Sequence, residues 1–304
     1  MKIPTLVILA AGMGSRYGGL KQIDALGDNG ETIIDFSIYD AIKAGFKKLI
    51  LIIKEEHEQA FETQLVSKIR PFIDVQYAYQ RLEDVPQGIE VPEGREKPWG
   101  TVHALLAIEE IVGDNTFTVM NADDFYGRAS FEKMYDFLSE EVNDDNYSMI
   151  AYVLKNTLTD HGSVTRGVCE IKDDYLDSIV EIQQIEKNGN KVRIKENNQW
   201  KEIDGDGLVS MNYWGFTPHI FSQLKPLFKN YLDMHLASNP MKAEYVIPTA
   251  IGELLEANEV NVKVIASPDQ WYGVTYQEDK DLVISKLKEY KTNKVYPHDL
   301  WKQK

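Results

Sequence analysis

Gly12, Gly14, Gly18 and Gly19 crowd the stretch that follows a short apolar run at 5–9, and Arg16 and Lys21 stand among them. Glycines at that density let a backbone turn with positive φ and bring its N–H groups close to a ligand. A guanidinium and an ammonium within the same stretch add fixed positive charge. The combination fits a polyphosphate. A second cluster, Asn121, Ala122, Asp123 and Asp124, follows the apolar run at 117–120. Paired carboxylates at the end of a buried strand are hard oxygen ligands for a divalent cation, although an aspartate there can equally cap the next helix.

These clusters can act together only if the chain brings them to one place. Apolar β-type runs occur at 5–9, 49–53, 75–79, 117–120 and 149–153, with helical patterns at 32–44, 55–69, 100–111 and 131–140 between them. Uniformly apolar strands alternating with helices predict an α/β fold with a doubly wound, mostly parallel sheet covered on both faces. In that topology the first three strands run outward in order and the fourth returns beside the first. The loops after Leu9 and Met120 then meet at the topological switch point, and a phosphate cradle faces a carboxylate pair.

From about residue 162 the pattern changes to short alternating segments at 167–171, 178–184, 191–194 and 200–203, joined by polar turns at 187–190 and 204–207. Asn-Gly and Asp-Gly are hairpin signals, so this stretch predicts an antiparallel insertion or lid. A strand at 208–216, helices at 219–237 and 241–257, a strand at 260–266 and a helix at 280–292 follow.

The 304 residues carry 48 acidic and 33 basic side chains, a net charge of −15. Such a field repels nucleic acid and anionic membrane, so neither is an expected partner, and a locally basic loop stands out against it. No apolar run is long enough to span a bilayer. The apolar N-terminus leads straight into the glycine loop without a cleavable small-residue site, which argues against a signal peptide. A single cysteine, Cys169, fits a reducing, cytoplasmic setting and reads as a packed core thiol. The six histidines lack zinc-like spacing.

Three phosphate-binding patterns compete for the opening loop. The P-loop pattern fails because Lys21 follows Leu20 and is followed by Gln22. The dinucleotide pattern fits Gly12 and Gly14, but Tyr17 holds its third glycine place. The third is a resemblance. Leu9-Ala10-Ala11-Gly12-Met13-Gly14-Ser15-Arg16, then Lys21, resembles the signature of the sugar-1-phosphate nucleotidylyltransferases (pyrophosphorylases). Later segments agree in order. Residues 97–105 resemble the family's P-x-G-T-A-x-A-L segment, Gln80 matches a glutamine that contacts the base, and 119–127 resemble G-D-x-x-Y-G, whose aspartate holds Mg2+.

The resemblance implies a Rossmann-like nucleotidyltransferase fold and transfer of a nucleotidyl group from an NTP to a sugar 1-phosphate, with pyrophosphate released. It implies that Ala10, Gly12, Gly14, Ser15, Gln80, Gly100 and Thr101 bind the nucleotide. Arg16, Lys21 and Asp123 would carry the chemistry, and Asp123 with Asp124 would hold Mg2+. On the acceptor side, Arg166-Gly167-Val168 resembles a Tyr-Gly-Val that touches the sugar, Glu181 falls on a sugar-binding glutamate, and Asn212 begins a segment like the strand lining the sugar pocket. Hairpin or core packing accounts equally well for these three. The expectation is a single domain over 1–304, with a nucleotide-binding core at 1–155 and an acceptor-binding lid with closing elements at 156–304. A homo-oligomer is compatible with every feature read.

Two departures qualify the transfer. Where the family has the aspartate of W-x-D-x-G, this chain has Gly273; Asp269, Glu278, Asp279 or Asp124 could take over. Where it has the lysine of E-K-P, this chain has Ile182, with Lys187 the nearest replacement. The residues therefore also admit a non-catalytic nucleotide-sugar-binding protein, or a cytidylyltransferase acting on a non-sugar phosphate such as phosphocholine. A nicotinamide-dependent oxidoreductase shares the topology but leaves Lys21 and the Asp123-Asp124 pair without a role. Titration into NADH or NADPH is expected to leave the cofactor's fluorescence unchanged; enhancement would favour the dinucleotide pattern.

Overall fold

The computed structural model describes residues 3–12, 21–274 and 276–302, with Lys21 described by its backbone. Gly14, Ser15 and Arg16 and the side chain of Lys21 therefore lie outside the described residues. The early strands are β1 (Thr5–Leu9), β2 (Lys48–Ile53), β3 (Asp74–Tyr79) and β4 (Phe117–Asn121). They form the order β3-β2-β1-β4, all parallel, as the alternation of apolar runs and helices predicts. In β1, Leu6 and Ile8 face one core and Val7 the other; in β2, Leu49, Leu51 and Ile53 alternate in the same way with Ile50 and Ile52. Burial on both faces is why these runs are apolar at every position. Helices Ile33–Ala44 and Arg128–Glu140, with the composite helical segment at 55–69, cover the first face. Helices Thr101–Leu106, Ile220–His235 and Ile247–Glu256 cover the second.

Beyond β4 the arrangement differs from a mostly parallel sheet. The short strand β5 (Asp124–Phe125) leaves for a two-stranded ribbon, and β6 (Asn146–Val153) does not pair with β4. Strand β11 (Leu208–Phe216) inserts antiparallel between them, so the eleven-stranded sheet is mixed. An apolar run buried on both faces looks the same in either direction, which is why sequence pattern alone misjudges this. The predicted insertion is real but is not a detached lid. Strands β7 (Val164–Lys172), β8 (Tyr175–Asn188), β9 (Lys191–Glu196) and β10 (Gln199–Ile203) extend the same sheet, through β7 on β11 and β8 on β12 (Asn261–Ala266). Their hairpins are two-residue turns. Asp173 and Asp174 (φ 52° and 66°) and Asn197 and Asn198 (φ 49° and 61°) adopt the paired positive φ of a type I′ turn, and Gly189 (φ 63°) opens the third.

The predicted helix at 241–257 starts only at Ile247. Upstream, Val246 is extended, and Tyr245 donates its N–H to Trp99 O at 2.9 Å and accepts from Val102 N at 3.1 Å. Pro248 stands in the helix's first turn, where a missing N–H costs nothing. Among the described residues no helix is long and apolar enough to cross a membrane.

A third core (Phe36, Phe125, Val274, Leu287, Tyr296 and Leu300 among its members) seats the C-terminal segment beneath β5 and its ribbon partner β13 (Tyr272–Gly273). At its side the fully buried Asp40 accepts from Tyr296 OH at 2.5 Å and from Arg128 Nε at 3.0 Å. Burial raises its pKa from 3.8 to about 6. A carboxyl raised in this way favours the fold while protonated, and that contribution is lost as the pH rises through about 6. Asp40→Asn keeps an acceptor for Tyr296 and cannot ionise. Urea unfolding between pH 4 and pH 6 should show the variant gaining on wild type as the pH rises, by up to about 3 kcal/mol; a constant difference contradicts the assignment.

Candidate active site

Parallel pairing of β1 with β4 sets Leu9 opposite Asn121, and Ala122 N donates to Leu9 O at 3.2 Å. The segments leaving both strands therefore emerge side by side, as predicted. Gly12 ends the described part of the first, its carbonyl accepting from Gln22 Nε2 at 2.7 Å. Beyond β4, Asp123 and Asp124 line a cleft of about 330 Å³. The same cleft is lined by Thr101, Arg166, Gly167, Glu181, Asn212 and Trp271, so residues far apart in sequence share one space. All three acceptor-side candidates are among them.

Asp124 is buried and held by a network. Its Oδ2 accepts from Asn121 Nδ2 at 2.9 Å and lies 3.2 Å from Tyr126 OH, which is also 2.8 Å from Met211 O. Burial keeps the Tyr126 phenol protonated by raising its pKa. Asn121 Oδ1 in turn accepts from Asn212 Nδ2 at 2.7 Å, and Trp214 Nε1 donates to Asn212 Oδ1 at 3.1 Å. Asn212 can turn into this network because β11 bulges between Ser210 and Trp214, leaving Asn212 at φ 60°. Bulges redirect side chains in this way beside functional sites.

The carboxylates named as replacements for the one missing at position 273 lie in different surroundings. Asp269 Oδ2 accepts from Ala129 N at 2.7 Å, capping the Arg128–Glu140 helix beside Gly127. Asp279 accepts from Thr159 Oγ1 at 2.5 Å and Tyr276 N at 2.8 Å, and it lines a neighbouring cavity. Asp124 alone of the candidates lines the cleft, and it pairs directly with Gly273 in the β5–β13 ribbon. A Cβ at position 273 would stand 2.8 Å from Asp124 Oδ1 and 2.3 Å from the Trp271 indole. Space that a side chain at 273 would need is thus taken by Asp124 and Trp271. Lys187, the nearest replacement for the missing lysine, lines the neighbouring cavity and pairs with Asp160 at 2.9 Å. It does not line the cleft.

Gln80 lies at the end of β3. Its Nε2 donates to Gly100 O at 3.0 Å and lies 3.2 Å from His103 Nδ1. His103 Nε2 lies 2.8 Å from Asp84 O, a group that only accepts, so Nε2 carries the proton and Nδ1 accepts from Gln80. Burial lowers the His103 pKa and keeps the ring neutral. Gly100 (φ 99°) is irreplaceable on two counts, since a Cβ would lie 2.3 Å from Tyr245 O. Thr101 Oγ1 accepts from Ile247 N at 2.9 Å while Thr101 lines the cleft. Gly167 pairs with Glu181 and Ser210 on its two sides, and a Cβ there would press within 3.0 Å of Ile179. Burial raises the Glu181 pKa, with Glu244 adding to the effect.

Sequence reasoning missed Asn121, Tyr126, His103, Arg166 and Trp271 as site residues. Asn121 and Tyr126 flank the aspartate pair within its own motif, and that was the available signal. Cys169 is half-buried against the second core rather than fully within it, and burial pushes its thiol pKa up to about 12. Because the space at Gly273 is filled, Gly273→Asp should destabilise the protein rather than complete a site. Its thermal midpoint should fall by an amount matching at least the roughly 1–3 kcal/mol of overpacking. An unchanged midpoint would show that Trp271 and Asp124 yield freely.

With the geometry in hand, comparison with known proteins is direct. Residues 5–274 match the family described as Nucleotidyl transferase. Comparison with curated protein sequences finds no significant match. Among solved structures, the chain is similar to an inositol-1-phosphate CTP transferase from T. maritima (12% identity, TM-score 0.63), covering 95% of this chain and 98% of that one. It is similar to a UDP-glucose pyrophosphorylase complexed with UDP-glucose (14% identity, TM-score 0.57; 94% and 99% covered). It is also similar to a UTP-bound UGPase from Acinetobacter baumannii (15% identity, TM-score 0.57; 96% and 99% covered). At such identities these structures establish the fold, while the family match spans all but the two ends of the chain. The chain belongs to the nucleotidyl transferase family.

Proposed function

We propose that this protein transfers a nucleotidyl group from a nucleoside triphosphate to a sugar 1-phosphate, giving a nucleotide-sugar and pyrophosphate. One observation carries the reading: a single cleft is lined by Asp123 and Asp124 from the nucleotide-binding side and by Gly167, Glu181 and Asn212 from the opposite half of the chain. Such a space suits the meeting of a donor and an acceptor. An acceptor phosphate oxygen forms the new bond to the α-phosphorus while the bond to the β-bridging oxygen breaks, and the electron pair leaves with pyrophosphate. Little covalent work falls to the protein, so the barrier is lowered by positioning and charge.

Asp123 and Asp124 fit Mg2+ as a hard-oxygen pair, the number of carboxylates this ion takes when phosphate oxygens and water complete its shell. Among the described residues no larger cluster of metal-binding side chains converges. When bound there, the ion supplies Lewis-acid charge neutralisation at the phosphates. Asn121 and Tyr126 hold Asp124 at a fixed angle. Gln80 commits both amide protons to Gly100 and His103, which leaves its carbonyl oxygen for a donor on the base. Gly12, with Ala10, Gly14 and Ser15, would hold the triphosphate. Arg16 would neutralise the departing pyrophosphate, and Lys21 would bridge donor and acceptor phosphates.

A second reading, cytidylyl transfer to a non-sugar phosphate, is favoured by the similarity to an inositol-1-phosphate CTP transferase and by Ile182 in place of lysine. A pyrophosphate-release screen of each NTP against sugar 1-phosphates, inositol 1-phosphate and phosphocholine with Mg2+ separates the two. Release with one NTP and a sugar 1-phosphate is expected, and Asp123→Ala should lower it by about 100-fold or more. Tight nucleotide-sugar binding with no release from any pair would overturn the enzyme reading.

A further inference from the structure

The cleft contains a cation that the sequence motifs leave unassigned. Arg166 is 9% exposed and lines the cleft among Asp123, Asp124 and Glu181. No other lysine, arginine or histidine lines it among the described residues. Its guanidinium makes three hydrogen bonds, all to neutral groups: Nε to Thr157 Oγ1 at 3.1 Å, Nη2 to Thr157 O at 2.5 Å, and Nη1 to Thr165 O at 2.8 Å. Five N–H groups are available, so one on each terminal nitrogen remains. Among the described residues no carboxylate lies within ion-pair distance of it. Asp124 and Asp279 act on it only from beyond that distance, and a buried guanidinium with no carboxylate hydrogen-bonded to it is expensive, so chains retain one where a ligand supplies the partner. Burial lowers the Arg166 pKa to about 10, which still leaves it charged at neutral pH.

A second orphan adjoins it. The guanidinium stacks on Trp271 with its central carbon 5.0 Å from the ring. Trp271 is 6% exposed, lines the same cleft, and its buried Nε1–H finds no acceptor. Buried polar groups in native structures are satisfied with few exceptions, and each exception asks for an explanation. Two side chains in contact, both lining one cleft and together offering three unused N–H donors, call for an oxyanion.

We propose that Arg166 and Trp271 form the seat for the phosphate monoester of the acceptor, a reading that rests on the proposed transfer. The acceptor's phosphate rather than the nucleotide's is favoured by location. Arg166 adjoins Gly167 on β7, opposite Glu181 on β8, and these belong to the half of the chain away from Gly12. The register explains the sequence departure as well. Arg166 pairs with Ile182 across the β7–β8 ladder, and directly paired residues project on the same face. The positive charge lacking at 182 is supplied by its cross-strand neighbour.

The test is titration of inorganic phosphate into the full-length protein by calorimetry, alongside titration of the nucleoside triphosphate identified by the screen. Wild type should bind phosphate. Arg166→Gln should weaken that binding by about 10-fold or more, and Trp271→Phe, which keeps the ring and removes one donor, by a few-fold, about 5. Nucleotide affinity should stay within about 2-fold in both. Returning the charge to the other strand, in Arg166→Gln with Ile182→Lys, should recover phosphate binding. If Arg166→Gln fails to fold, Arg166→Lys and Trp271→Phe carry the same comparison. Equal phosphate affinity in wild type and folded variants overturns the seat, as does no phosphate binding by wild type. Loss of nucleotide affinity instead overturns the acceptor assignment. Arg166-dependent phosphate binding with no pyrophosphate release from any substrate pair would overturn the transfer reading and leave the seat standing.

Discussion

The pairing of β1 with β4 is the constraint on which the site depends. Leu9 opposite Asn121 brings the ends of two strands more than a hundred residues apart in sequence to one edge of the sheet. The pairing is enforced from both faces, because Leu6 and Ile8 bury against one helical layer and Val7 against the other. A slip of one residue would exchange the faces and set each side chain against the wrong helical layer. Gly12 and the aspartate pair inherit their places beyond β1 and β4 from that burial. The cleft is therefore placed by the hydrophobic core, and its polar residues need only finish the local geometry.

The finishing is done by hydrogen bonds that tie the two halves of the chain. Asp124, Asn121 and Asn212 form a chain of contacts from the end of β4 to the bulge in β11, with Tyr126 closing it on Met211. Low dielectric makes a satisfied network of this kind stiff. Two departures from the family pattern each face a charged residue across a strand pair. Gly273 pairs with Asp124, and Ile182 pairs with Arg166. In both, on the reading proposed above, the charged residue takes the place of the group absent from the facing strand. Cross-strand neighbours point to the same face, so a site can exchange which strand supplies a group while keeping the group in place.

Much of this was legible in the sequence. Apolar alternation gave the four parallel strands in their order, and the glycine and aspartate motifs marked the segments that leave β1 and β4 side by side. Asn188-Gly189 announced one hairpin, whereas Asp173-Asp174 and Asn197-Asn198 did the same work unrecognised, since aspartate and asparagine tolerate positive φ nearly as well in such turns. The direction of β11 was illegible because burial on both faces erases the difference between parallel and antiparallel runs. The exchange of groups between strands was illegible for another reason. Motifs record spacing along the chain, and register across a ladder is fixed only when the turns and the core fix it. Arg166 therefore looked like a substituted tyrosine until its pairing with Ile182 was visible. Trp271 looked like a motif landmark until its indole proved to fill the space beside Gly273.

The claim on which the rest turns is that Asp123 and Asp124 together hold the divalent cation against the nucleotide. Electron paramagnetic resonance of Mn2+ titrated into the protein with its nucleotide tests this without requiring turnover. One bound ion per chain is predicted in wild type, with affinity falling about 10-fold or more in Asp124→Asn, which retains an oxygen for Asn121 and Tyr126 while removing the charge. Unchanged Mn2+ affinity in a folded Asp124→Asn protein would contradict the account.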